Sequence, residues 1–66
     1  MIKQQPTHRV HGSASSVMVV GFDEVKEHVA RYMAANQGGY VSERQADGGW
    51  KVVWRFDPFW RQMVAA

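Results

Sequence analysis

Few residues in this chain have the type and spacing to do chemistry, and those few favour binding over catalysis. His8 and His11 stand three apart, His28 lies far from both, and there is no cysteine. A stable zinc site takes about four ligands, so the histidines read as surface side chains. His28 also follows Glu24 by four positions, where a helix would pair them. Ser13, Ser15 and Ser16 beside His11 are too local to set a nucleophile, base and acid in fixed geometry. The six Asp and Glu fall at helix starts, on a helix flank, in a strand and in a turn, where each has a structural use. The expectation is a chain with no catalytic residue, no cofactor and no metal.

What remains is cationic and aromatic. Arg44, Lys51 and Arg55, with Tyr40 nearby, would track a phosphate backbone and stack on bases if they shared one sheet face. Val53 lies between two of these cations, and Trp60 with Arg61 adds a ring and a charge further on. The plainer account is a solvated face whose charges discourage edge pairing, diluted by Glu43 and Asp57. Tyr40, Arg44, Lys51, Val53, Arg55, Trp60 and Arg61 are therefore the candidate partner-binding residues.

The elements that must position them start from a period of two. Trp50, Val52, Trp54 and Phe56 alternate along a run that follows Asp47-Gly48-Gly49. Side chains two apart share a strand face, so this stripe is expected to lie on one side and to face a helix as the core. Tyr40 to Gln45 supplies the partner strand of a hairpin. A two-residue turn would set Val41 against Trp54, and a three-residue loop with a bulge would set Tyr40 against Phe56. Both registers remain open.

Upstream, Val17-Met18-Val19-Val20 reads as the first secure strand, buried on both faces or nearly so. Gly12 to Ser16 reads as a loop or a bulged segment, and Thr7 to Val10 either pairs with the strand or continues into it. The clearest helix runs from Gly21 to Asn36 or Gln37. Phe22, Val25, Val29, Tyr32 and Met33 recur every three or four residues, Asp23 and Glu24 favour its start, and Gly38-Gly39 is expected to cap its end. Downstream, Asp57-Pro58 is a cap followed by a first helical residue, and Phe59, Trp60, Met63 and Val64 suit an apolar helix face. The pattern predicts a short terminal helix.

Together these elements predict one α+β domain over residues 7–66, after a flexible tail over residues 1–6. Its sheet would be small, three-stranded and mainly antiparallel, or mixed, with one helix on one face and the short C-terminal helix, in the order β-α-β-β-α. A chain of 66 residues buries only about 60% of its unfolded surface, so each large side chain matters.

The charge of +2 is too small to imply nucleic acid by itself. No cysteine in a small domain favours a reducing cytoplasm, and no apolar run approaches the roughly 20 residues that span a bilayer. The leading expectation is a small non-catalytic module that binds a larger protein, of the accessory or inhibitor kind carried by phages and plasmids against host defence proteins. The alternative is a nucleic-acid-binding protein using a basic and aromatic sheet face. No membrane partner is expected, and a homodimer is left open.

Overall fold

Gly12 to Ser15 folds the chain back on itself, with the Gly12 N–H donating to the Ser15 carbonyl at 2.8 Å. It joins strand β1 (His8–His11) to β2 (Ser16–Val19) as an antiparallel hairpin. The computed structural model describes residues 5–66, so most of the expected tail lies outside the described residues. Helix α1 (Phe22–Ala34) follows, then β3 (Gly39–Arg44), β4 (Trp50–Asp57) and β5 (Gln62–Ala65). One antiparallel sheet results, in the order β2-β1-β3-β4-β5.

This corrects the expected architecture. Among the described residues there are five strands and one helix where three strands and two helices were expected, and all the pairings are antiparallel. The missing helix is the terminal one. Asp57 does cap a turn, its Oδ1 accepting from the Phe59 N–H at 2.7 Å, and the Arg61 N–H closes onto the Asp57 carbonyl at 2.9 Å. Arg61 then takes a left-handed conformation, φ 57°, which ends the turn and reverses the chain. Met63 pairs with Phe56 across the resulting hairpin, and burial of Met63 against the core outweighs the local preference for a helix. Loss of the Asp57 carboxylate in Asp57→Ala is expected to cost roughly 1 kcal/mol, read as a lower urea midpoint. An unchanged midpoint would show that the turn holds without it.

The helix begins as expected at Gly21 and ends differently. Asn36, φ 62°, takes the left-handed position, with the Asn36 N–H donating to Met33 and the Gln37 N–H to Tyr32, the paired bonds of a Schellman end. Gly38 and Gly39 are therefore not the cap. Gly39 serves close packing, because a Cβ there would fall on the His11 backbone carbonyl across the β1–β3 pair. Val25 and Val29 are the buried residues of α1, Tyr32 and Met33 are half-buried, and Phe22 stays exposed against Trp54.

The aromatic stripe is split. Around the turn, Gln45 and Gly49 flank a three-residue loop in which Gly48 has φ 88°, and Arg44 pairs with Trp50. Further along, Val41 pairs with Trp54, so one extra residue, Val53, enters β4 as a bulge. Of the two registers read from sequence, the one that sets Val41 against Trp54 holds beyond the bulge; the other, Tyr40 against Phe56, is not found, because Phe56 pairs with Gly39 and the three-residue loop is Ala46 to Gly48. Beyond the bulge Trp54 and Phe56 face the helix; before it Trp50 and Val52 face away.

The core is consequently built from valine. Val10, Val19, Val25, Val29, Val41 and Phe56 are its buried residues, with Trp54 and Val53 half-buried around them. β2 is an edge strand, and Met18 is 52% exposed, so this strand is covered on one face alone.

Candidate functional site

Residues directly opposite one another across neighbouring strands share a face, and the register defines the sheet surface that α1 leaves uncovered. One rung across it reads Met18, Arg9, Ser42, Val52; the next reads His11, Tyr40, Arg55, Val64; Arg44 and Trp50 form a third. The helix side carries Val17, Val10, Val41 and Trp54 in one rung and Val19, His8, Glu43 and Lys51 in another.

The candidates separate accordingly. Tyr40, Arg44 and Arg55 come together on the open face. Lys51 does not join them, because the bulge sets it on the helix side opposite Glu43. Val53, the extra residue, packs against the core. Trp60 and Arg61 sit in the turn between β4 and β5, where Arg61 lines a hollow with Met33, Ala34, Asn36 and Pro58 at the end of α1. Arg9, His11 and Trp50 belong to the open face and are absent from the candidate set. The alternation of Arg9 and His11 about the buried Val10 was the available signal, since a strand with one buried centre sends both neighbours to the other face.

Side chains on this face touch one another. The Arg9 guanidinium lies 4.8 Å from the centre of the Trp50 ring, reaching across β3. His11 stacks on Tyr40 with ring centres 4.3 Å apart and planes 18° apart. Gly39, Tyr40, Val52 and Arg55 enclose a shallow depression. The ion pairs of the described residues, His8 with Glu43, Lys26 with Asp23 and Arg31 with Glu27, all lie elsewhere. Asp57, at the far end of β4, is engaged by the Phe59 N–H. Arg9, Arg44 and Arg55 thus present their charge without a paired carboxylate among the described residues.

His8 and His11 lie on opposite faces of β1, so they do not converge on one ligand. Partial burial, and then the nearby positive charge of Arg9, hold the His11 pKa below its ordinary 6.5. The unfolded chain therefore takes up this proton first as pH falls. The stability contributed by neutral His11 is complete above about 6.5 and drains away below it, down through the lowered folded-state value. His11→Phe keeps a ring on Tyr40 and removes the titration, so the parent's melting temperature should fall more steeply than the variant's on acidification from neutral. Parallel curves would remove His11 from the pH response.

Among the described residues no helix is long and apolar enough to cross a membrane. No family model, curated protein or solved structure matches the chain.

Proposed function

We propose that the protein is a non-catalytic binding module that takes single-stranded nucleic acid on its open sheet face. The observation that carries this reading is the placement of Tyr40 and Trp50 among Arg9, Arg44 and Arg55 on one surface, the side of the sheet that α1 leaves open. Rings give unpaired bases a stacking surface without regard to sequence, and guanidinium groups neutralise the phosphates between them. A single strand suits the geometry better than a duplex. The one helix lies on the far face, and the open face is a broad sheet surface with no projecting element to enter a groove.

The test is a fluorescence titration with labelled oligothymidine and oligouridine over a range of salt. Phosphate contacts by Arg9, Arg44 and Arg55 should give log K against log salt a slope of about −2, at about 0.7 per contact on a single strand. Arg44→Gln with Arg55→Gln should bring the slope close to that of one contact. Absence of binding at low salt, or a slope unchanged by the double substitution, would sink the reading.

A second reading rests on the same surface. Trp, Tyr and Arg are the residues that dominate protein interfaces, and Met18 and Val52 add exposed apolar area to this face. They support a module that occupies the surface of a larger protein, as an accessory or inhibitor protein from a phage or plasmid would do against a host defence protein. Capture of one stoichiometric protein partner that is lost on Trp50→Ala, together with no oligonucleotide binding, would favour it.

A further inference from the structure

Among the described residues His11 is the one imidazole on the open face. It shares a rung with Tyr40 and Arg55, and Arg9 lies two positions before it on the same side of β1. Every charged side chain on this face is an arginine: Arg9 from β1, Arg44 from β3 and Arg55 from β4. Strand β2 and the Gly12 to Ser15 turn bring no ionisable group, and Tyr40 is the other titratable side chain of the face. Glu43, Lys51 and the charges of α1 belong to the far side of the sheet. Stacking on Tyr40, with ring centres 4.3 Å apart, fixes where the imidazole stands. Neither of its ring nitrogens is hydrogen-bonded or ion-paired among the described residues.

We infer, on the premise that this face takes a single strand, that His11 is a conditional cation of the site: a strand seated among Arg9, Arg44 and Arg55 draws a proton onto its ring, and affinity rises as pH falls. In the free protein, partial burial and then the Arg9 charge favour the neutral ring. A bound phosphate reverses the sign of the local field. It offers the imidazole a negative partner and an acceptor for the N–H groups, of which the charged ring has two and the neutral ring one. The bound form therefore holds the proton more tightly than the free form. Affinity is then greatest below both titration points, falls as pH rises between them and is level above, with a limit of about tenfold per pH unit for one proton.

Labelled oligothymidine is the probe, because its bases do not titrate near neutral pH. The parent should bind it severalfold more tightly at about pH 5.5 than at about pH 7.5, and the slope of log K against log salt should steepen by about 0.7 on acidification as the added contact forms. His11→Phe keeps a ring on Tyr40 and should show neither change, with circular dichroism confirming that both proteins are folded at both pH values. Calorimetry in two buffers of different ionisation heat should find proton uptake on binding by the parent and none through this site in the variant. Parental affinity that ignores pH, or a pH dependence that survives in His11→Phe, would overturn this role for His11 and leave the single-strand reading standing. Absence of binding at either pH would overturn both.

Discussion

Phe56→Ala should remove about 3–5 kcal/mol of stability and leave much of the population unfolded at room temperature, since small domains hold little more than this. Phe56 is the one aromatic ring in an otherwise valine core, 2% exposed, with Gly39 opposite and Met63 and Tyr32 around it. The valines of the core are too short to fill the space. The valines have short, stiff side chains that lose χ1 freedom cheaply, but they cannot swing into a cavity. Chemical denaturation measures the effect. A midpoint within experimental error of the parent's would mean that the core does not depend on this ring.

Trp50→Ala combined with Tyr40→Ala should do the converse, with little loss of stability and a large loss of oligonucleotide affinity. Each ring that stacks a base contributes on the order of 1–3 kcal/mol, so the pair is worth at least about a thirtyfold change in Kd. Both residues are exposed and lie on the face that α1 does not cover. Near-parental affinity in a folded double variant would show that the rings do not contact the bases. A collapse in stability would assign them to the fold.

How much of this was legible depends on whether local or distant contacts decide each element. α1 and a hairpin over Asp47-Gly48-Gly49 follow from turn chemistry and apolar spacing within a few residues and are found, though Asn36 caps α1 in place of Gly38-Gly39, and Gly12 to Ser15 takes the loop of the two forms open to it. Asp57-Pro58 reads as the start of a helix, and the same cap opens a turn instead. Its growth into a helix depended on Arg61 and on the pairing of Met63 with Phe56, and Met63 and Val64 satisfy helical and strand patterns alike. The site was half visible for a similar reason. Tyr40, Arg44 and Arg55 are correctly grouped, but an unbroken period of two places Lys51 beside them and sends Trp50 inward. Period-two reasoning cannot see an inserted residue, and no glycine or proline marks Val53.

Val53 therefore acts as a partition between two separately variable texts on one strand. Changes at Trp50 and Val52 alter what the protein presents to the outside and leave the packing of Trp54 and Phe56 as it was, because the bulge, and not the neighbouring side chains, sets the phase of each half. That surface can then change without reopening the question of whether the chain folds.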